Sequence, residues 1–411
     1  MNDEKFGQKV ALSSDGTILL AISLNYGWSR VENGETISTS QIGKVQAFQY
    51  QSQNNKWEIK GNPIVDEYHS FDRFPNSIAL SDSGNVVAVT QIYEGGYGVV
   101  RTLKFDEFTG NWTAYGQELP GSDGEEDYGY GLALNSLGTR LAIGSQQFGT
   151  NHLEHELRNP GKVQVFDFNG THWEPLGDPL SEDDTTIGDR PFPCSSDMFG
   201  LGVAFADSGD TLVVGAPSSC SGRKHVTVFR WNNDGTSSWK PLGKTLESGG
   251  SAFGKSMGVS SDGNRLALSS SWGVQAFRYN TIADDWEEYG QELENGNSDF
   301  GESVALSRDG TTLVVGDPSW NSDEGHGAGQ LFVYVFEESS SVENYGLWVQ
   351  KGSPLAGLEE NDHGAQGTSV AVSADGAIVA TGAPGRVDPS TTPGFARVYT
   401  SYPYLQKLIT T

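Results

Sequence analysis

Cysteine, methionine and basic residues are all scarce in this sequence. It has two cysteines and three methionines among 411 residues, and its 26 Lys and Arg stand against 53 Asp and Glu, a formal net charge of −27. Such an acidic surface repels phosphate backbones, so nucleic acid is not expected as a partner. No apolar run approaches the roughly 20 residues of a membrane-spanning helix, so no direct membrane insertion is expected.

Leader signals and known catalytic fingerprints are missing as well. The first ten residues, MNDEKFGQKV, carry neither a basic nor an apolar segment, so no secretory signal peptide is predicted within this sequence. Dinucleotide fingerprints are absent, and a Gly-x-Ser-x-Gly nucleophile elbow would need a strand-to-helix turn, whereas this sequence shows no convincing helix. A pair of catalytic carboxylates is neither supported nor excluded by the pattern. No enzyme activity is therefore predicted.

What the sequence does contain is seven copies of one unit. The unit reads FGxSVALSxDGxxLAVGAP, then GxVxVF after a variable stretch, then WxxxGxxL, and its copies start at Phe6, Phe74, Tyr128, Phe199, Phe253, Phe300 and Gln366. Each copy has four strand-like runs, here called A to D, that predict one four-stranded antiparallel sheet. The sequence therefore predicts an all-β fold, a single seven-bladed β-propeller that forms one domain over residues 1–411.

Turn residues and spaced tryptophans define the inner and outer parts of the unit. The A–B connection is always a short SxDG-like turn, whose glycine is expected at positive φ. Tryptophans of the D run are expected to pack between neighbouring blades; they are Trp57, Trp112, Trp173, Trp239, Trp286 and Trp348, with Tyr404 as the seventh. The last D run, residues 404–408, is predicted to stay in the seventh blade, so that the ring closes without strand exchange.

Phe-Gly at the start of A and Gly-Ala-Pro at the end of B resemble the FG-GAP repeat of integrin α-chain propellers. The pairs are Phe199-Gly200 with Gly215-Ala216-Pro217, Phe300-Gly301 with Gly316-Asp317-Pro318, and Gly382-Ala383-Pro384 in the last copy. The Gly-His and Trp-Asp marks of WD40 repeats do not appear in register. Calcium-binding repeats of the resembled family have an extended Asp-rich A–B loop, which is cut to SxDG here. The resemblance leaves calcium open, but no cofactor is predicted.

The long loops of the unit fall on one face of the predicted ring. Because strands alternate in direction, the D–A and B–C connections emerge together, with long segments at residues 23–42, 62–73, 145–160, 181–198, 317–328 and 383–394. We predict that this D–A/B–C face binds a protein or glycan ligand. Its candidate contact residues are aromatic, because such rings stack on sugars or anchor a protein; they are Tyr26, Trp28, Tyr68, Tyr93, Tyr97, Phe148, Trp272 and Trp320. Packing within their own loops is the alternative.

The two cysteines and two glycosylation sequons bear on the compartment. Cys194 and Cys220 fall on the same face of the fourth blade, so a disulfide is predicted, with two free thiols in a reducing compartment as the alternative. Asn111 and Asn169 each begin an Asn-x-Thr sequon at a C–D connection. Together with the acidity and the family resemblance, these features favour a secreted or cell-surface glycoprotein.

One pair of histidines is a weak candidate for a metal site. His152 and His155 lie in a B–C loop of the third blade and could hold zinc or copper if other loops converged on them. Solvated loop histidines are the alternative interpretation, so no metal site is predicted.

The leading functional hypothesis is an extracellular recognition or adhesion propeller that binds a protein or glycan through the D–A/B–C face. The alternative is a structural repeat module within a larger multidomain, cell-wall or matrix assembly. A hydrolase or lyase at the mouth of the central channel is the third candidate.

Overall fold

A computed structural model of the chain describes most of its residues. They are residues 5–24, 28–32, 35–39, 43–65, 74–92, 98–122, 125–148, 161–181, 198–218, 224–233, 238–321, 327–338, 346–357, 364–385, 394–400 and 407–409. Only the backbone is described for residues 28–32, 35–39, 125–126, 146–148 and 407–409. Within these ranges no helix is long and apolar enough to cross a membrane.

Seven antiparallel sheets, each with the strand order A-B-C-D, form the ring and confirm the predicted seven-bladed β-propeller. The A strands are Lys5–Leu12, Ile78–Leu80, Glu125–Leu134, Gly202–Phe205, Met257–Val259, Ser303–Leu306 and Ser369–Val372. The B strands are Ile18–Leu24, Val86–Ile92, Arg140–Phe148, Thr211–Ala216, Arg265–Ser270, Thr312–Asp317 and Ile378–Ala383. The predicted repeat starts Phe6 and Tyr128 lie within an A strand, and the other five lie three or four residues before one.

The outer half of each blade is built from strands C and D. The C strands are Lys44–Gln51, Gly98–Asp106, Lys162–Phe168, Lys224–Asn232, Gly273–Asn280, Gln330–Glu337 and Phe395–Thr400. The D strands are Lys56–Ile59, Asn111–Ala114, Trp173–Pro175, Ser238–Pro241, Asp285–Glu288, Leu347–Gln350 and Lys407–Ile409. Short continuations of D pair with C in blades 2, 3, 4 and 6 at Leu119–Pro120, Leu180–Ser181, Leu246–Ser248 and Leu355–Ala356. A separate hairpin of Trp28–Glu32 and Glu35–Thr39 lies in the B–C loop of blade 1.

The last strand stays in blade 7, as predicted from the repeat register. Lys407–Ile409 pairs with Phe395–Thr400 of the same blade, with Ala396 opposite Ile409. Tyr404, the proposed seventh packing aromatic, lies outside the described residues. Every blade therefore draws its four strands from one continuous stretch of chain, and the ring closes without strand exchange.

The A–B turns form a closed circle of backbone hydrogen bonds around the channel. In each turn the second residue donates its backbone amide to the backbone carbonyl of the second residue in the next turn around the ring. The N–O distances are 2.7 to 3.2 Å. The seven donor–acceptor pairs are Ser14–Asp82, Asp82–Ser136, Ser136–Asp207, Asp207–Ser261, Ser261–Arg308, Arg308–Ala374 and Ala374–Ser14. The seventh bond returns to the first turn, which fixes the number of blades at seven.

The Phe-Gly and Gly-Ala-Pro halves of the repeat meet across the boundary between two blades. A Cβ added to Gly316 of blade 6 would lie 2.1 Å from the carbonyl oxygen of Gly367 in blade 7. The same contact joins blade 7 to blade 1, where a Cβ on Gly382 would lie 1.9 Å from the carbonyl oxygen of Gly7. These distances leave no space for any side chain, so the two glycine positions let inner strands of adjacent blades touch.

The D-strand tryptophans pack between blades, as predicted. The indole Nε1 of Trp348 in blade 6 donates to the carbonyl of Tyr289 in blade 5 at 2.8 Å, and Trp286 repeats this bond to Leu242 of blade 4 at 2.8 Å. Trp112, Trp173 and Trp239 make the equivalent bond to the preceding blade. Seven separate apolar clusters fill the seven blade interfaces, so the core of the protein is a ring and not a single centre.

Candidate functional site

Half of the eight predicted aromatic contact residues lie outside the described part of the chain. This applies to Tyr26, Tyr68, Tyr93 and Tyr97, and for Trp28 and Phe148 only the backbone strand is described. Trp272 sits in the tight B–C turn of blade 5 and is 60% exposed. Its indole lies over the neighbouring D–A loop, 2.7 Å from where a Cβ on Gly249 would be.

Trp320 is half-buried in the B–C loop of blade 6. Its backbone carbonyl accepts a hydrogen bond from the amide of Gly329 at 3.1 Å, which ties the two ends of that loop together. Of the predicted aromatic residues whose side chains the structure describes, Trp272 therefore presents an exposed ring on this face, whereas Trp320 is half-buried in its own loop.

A group of polar side chains converges instead at the channel mouth on the D–A/B–C face. The Nζ of Lys9, in the middle of strand A of blade 1, donates to the Oγ of Ser77 in blade 2 at 3.2 Å. The same Nζ lies 5.8 Å from the ring centre of Tyr130 in blade 3. Because it reaches two blades around the ring, Lys9 points over the channel opening. We call Lys9, Ser77, Tyr130, Lys255 and Glu302 the mouth cluster.

Charge is concentrated in this cluster. Burial, and to a smaller extent the positive charge of Lys255 in blade 5, lower the pKa of Lys9 to about 8. Lys255 itself pairs with Glu302 of blade 6, with Nζ and Oε1 2.6 Å apart. The interaction between Lys9 and Lys255 indicates that side chains from opposite parts of the ring face one another at this mouth.

The opposite mouth, at the A–B turns, is crossed by an arginine. The guanidinium of Arg308 in blade 6 contacts the carboxylate of Asp82 in blade 2, and its Nη1 lies 3.0 Å from Oδ2 of Asp207 in blade 4. Burial and the nearby Asp262 raise the pKa of Asp207. Since these blades are spaced around the ring, Arg308 lies across this end of the channel, and a small ligand has its access from the mouth cluster.

Sequence reasoning missed the mouth cluster, although the repeat alignment contains the signal. The second position after Phe-Gly is serine in four copies, namely Ser77, Ser256, Ser303 and Ser369, and it is Lys9 in the first copy. An inner-strand position that changes from a small residue to a lysine departs from the packing pattern of the repeat.

The remaining sequence candidates have different outcomes. Cys194, Cys220, His152 and His155 lie outside the described residues, so the disulfide and the metal site stay predictions. In the described ranges no group of three or more His, Cys, Asp and Glu side chains is arranged to hold a metal ion.

Both sequon asparagines are described and exposed. Asn111 starts the D strand of blade 2, and Asn169 lies in the C–D turn of blade 3. The Oδ1 of Asn169 accepts the amide of Thr171 at 3.0 Å, and its Nδ2 donates to Glu174 at 2.9 Å. Both side chains are accessible at the surface, while their glycosylation stays a prediction.

Comparison with known proteins places the chain by its fold. No family model and no curated protein matches the sequence. Among solved structures, the periplasmic gluconolactonase of Pseudomonas aeruginosa aligns with a TM-score of 0.55 at 14% identity over 89% of this chain and 91% of its own. A Bacteroides fragilis protein that is provisionally assigned as a 6-phosphogluconolactonase aligns with a TM-score of 0.56 at 14% identity over 97% and 95% of the two chains.

Propellers with other activities align almost as well. Hydrazine synthase of Kuenenia stuttgartiensis has a TM-score of 0.51 at 11% identity, with 98% of this chain and 95% of that chain covered. Such likenesses establish the propeller fold alone. Membership of the FG-GAP family stays a prediction, since no family model matches and these neighbours are other kinds of propeller. The fold is compatible both with binding proteins and with enzymes.

Proposed function

We propose that the protein binds a small hydroxylated anion, such as a sugar acid, at the mouth cluster. The observation that carries this proposal is the convergence of Lys9 and Lys255 over one channel opening in a chain with a net charge of −27. Two lysines against the single carboxylate of Glu302 leave a net positive charge at that opening, which attracts anions, while the acidic remainder of the protein repels them. The sequence predicts a protein or glycan ligand on this face. The present proposal is a small-molecule ligand at the channel mouth instead.

The neighbouring groups suit hydroxyl-bearing ligands. Ser77 and Glu302 offer hydrogen-bond partners for hydroxyls, and the half-buried ring of Tyr130 offers an apolar face against which a sugar can lie. Arg308 lies across the far end of the channel, so the ligand would enter from the mouth cluster. A concave site with a few convergent polar groups is the usual form of a small-molecule site.

Calorimetric titration of the full chain with gluconate tests the proposal. We expect gluconate to bind at least about tenfold more tightly than neutral glucose, because a charge-assisted hydrogen bond from lysine contributes about 1.5–3 kcal/mol. The double variant Lys9→Met with Lys255→Met should lose this preference. Lys56→Met, an exposed lysine on the outer strand of blade 1, serves as the matched control. Equal binding of gluconate and glucose, or an unchanged preference in the double variant, contradicts the proposal.

Hydrolysis of a lactone is a second candidate function, favoured by the lowered pKa of Lys9. With a pKa of about 8, a measurable fraction of this amine is neutral at neutral pH and can accept a proton. In the proposed step Lys9 takes a proton from water, the hydroxide adds to the lactone carbonyl, the ring C–O bond breaks, and Lys9 returns the proton to the leaving oxygen. The product is a hydroxylated carboxylate, the ligand class proposed above. Gluconolactonases among propellers of this fold support the choice of substrate class.

Gluconolactone opening, followed by proton release above the uncatalysed rate, tests this second function. The rate should rise with pH through about 8 as Lys9 loses its proton, and Lys9→Met should abolish both the rate and its pH dependence. A full rate in Lys9→Met would show that another group carries the reaction. A protein that binds gluconate but leaves gluconolactone at the uncatalysed rate is a binding protein only.

A further inference from the structure

A buried carboxylate lies on the D–A/B–C face of blade 6. Asp317 ends strand B of this blade, and its side chain is fully buried, with a relative exposure of 0%. In blades 4 and 7 the corresponding residue of the Gly-Ala-Pro motif is alanine, Ala216 and Ala383. Because two blades form the same strand end with alanine, the blade does not require a carboxylate here.

Only one oxygen of Asp317 is satisfied. Its Oδ2 accepts hydrogen bonds from Nδ2 of Asn295 at 2.9 Å, Nδ2 of Asn297 at 2.8 Å and Nε2 of Gln330 at 3.2 Å. Its Oδ1 is shielded from solvent and, within the described part of the chain, accepts no hydrogen bond. A buried carboxylate oxygen without a partner is unfavourable, so this atom indicates a missing positive ligand.

A second carboxylate belongs to the same corner. Asp299 follows Asn295 and Asn297 at alternate positions in the D–A loop that leads into blade 6, and its Oδ2 accepts the hydroxyl of Ser319. Ser319 is two residues beyond Asp317, so the loop of residues 295–299 and the segment of residues 317–319 face each other. Two carboxylates therefore belong to this corner, and the amide groups of Asn295 and Asn297 hold Asp317 through its Oδ2, which leaves its Oδ1 for a ligand.

We infer that this corner binds a hard divalent cation, and the oxygen ligands select calcium. Two carboxylates neutralise a divalent charge, and carboxylate oxygens are ligands that calcium takes in proteins. No histidine or cysteine, the side chains that zinc prefers, occurs among the described residues of this corner. The cation would take the free Oδ1 of Asp317 and join the D–A loop to the end of strand B.

This site differs from the calcium loop that the family resemblance would imply. In the A–B turns the aspartate accepts bonds from its own turn, as Asp375 does from the Ser373 hydroxyl at 2.6 Å and the Ala377 amide at 3.0 Å. Those carboxylates are satisfied locally. Asp317 instead lies in another connection on the opposite face, where one of its oxygens stays free.

Titration of the chelator-treated full chain with calcium chloride, by calorimetry and thermal unfolding, tests the inference. We expect saturable calcium binding and a rise in the unfolding midpoint of about 3 °C at a calcium concentration about a hundred times Kd. Asp317→Asn keeps the shape of the side chain and removes its charge, so it should weaken calcium binding by at least about tenfold. Magnesium should bind more weakly, because it prefers to keep its own waters.

Two further variants distinguish calcium binding at Asp317 from non-specific attraction of calcium to the acidic surface. Asp317→Ala, which installs the residue of blades 4 and 7, should fold and lose the thermal response. Asp375→Asn removes the same charge from an A–B turn and should keep the full response. No saturable binding by the unaltered chain overturns the inference, and so does a calcium response that survives in both Asp317 variants.

Discussion

Replacement of Trp348 by alanine isolates the contact that holds blade 6 against blade 5. The indole is 3% exposed and packs edge-on against Tyr289 and Phe336, with ring centres 5.7 and 5.3 Å away. Its Nε1 donates to the Tyr289 carbonyl at 2.8 Å, and its backbone amide donates to Gln291 at 2.9 Å. The alanine variant removes both ring contacts and the indole bond at once, and it keeps the backbone bond.

The expected loss of stability follows from these contacts. Deletion of a buried tryptophan side chain lowers the free energy of unfolding by about 3–5 kcal/mol, since the cavity adds to the lost transfer energy. Trp348→Phe keeps a ring in the interface and removes the indole N–H, which leaves the Tyr289 carbonyl without a donor. The phenylalanine variant should therefore lose about 1–3 kcal/mol. The free energy of unfolding should therefore increase from the alanine variant to the phenylalanine variant to the unaltered chain.

Urea unfolding followed by far-ultraviolet circular dichroism measures this loss without reliance on tryptophan fluorescence. The matched control is Trp272→Ala, since Trp272 is 60% exposed on its turn and its removal should change stability by no more than about 0.5 kcal/mol. If Trp348→Ala and Trp272→Ala lose equal stability, the D-strand tryptophans do not hold the blades together, and the packing account given above is wrong.

Two other substitutions test the closure of the ring and its A–B mouth. Gly382→Ala puts a Cβ 1.9 Å from the Gly7 carbonyl oxygen and should lower the free energy of unfolding by about 1–3 kcal/mol or more. Urea titration measures this loss. An unchanged free energy of unfolding would mean that blades 7 and 1 do not touch at this point. Arg308→Met leaves Asp82 and Asp207 without their cation, and because these three side chains are about one-third exposed we expect a loss of about 1–2 kcal/mol. Unpaired carboxylates have raised pKa values in the folded state, so this loss should be largest at pH 7 and shrink toward pH 4; a loss independent of pH would mean that Arg308 contributes by packing alone.

The fold could be predicted because its signals repeat. One SxDG turn is weak support for a hairpin, but seven in register predict seven hairpins, and glycines such as Gly310, with a φ of 68°, take the expected backbone conformation. The D-strand tryptophans repeat in the same way, since five of the described indoles donate to a carbonyl of the preceding blade. Repetition therefore carries the architecture, and a pattern shared by all blades needs no knowledge of distant contacts.

The candidate site could not be predicted, because it depends on what the blades do not share. Lys9 and Lys255 are far apart in sequence, and only the closed ring brings them to one opening. The contact between the Phe-Gly and Gly-Ala-Pro motifs could not be predicted either. The repeat does not indicate whether these two motifs meet within one blade or across the boundary between two blades. Asp317 appeared in the sequence only as a variant of the Gly-Ala-Pro motif, and its free oxygen depends on the loop packed against it.

The circle of backbone hydrogen bonds at the A–B turns has an electrostatic consequence. All seven bonds run in the same sense around the channel, from each blade to the next. A helix of aligned peptide dipoles has a positive and a negative end, but a circle of them has neither. This circle of bonds therefore contributes no net pole along the channel axis at this mouth, and the field there comes from charged side chains such as Arg308, Asp82 and Asp207.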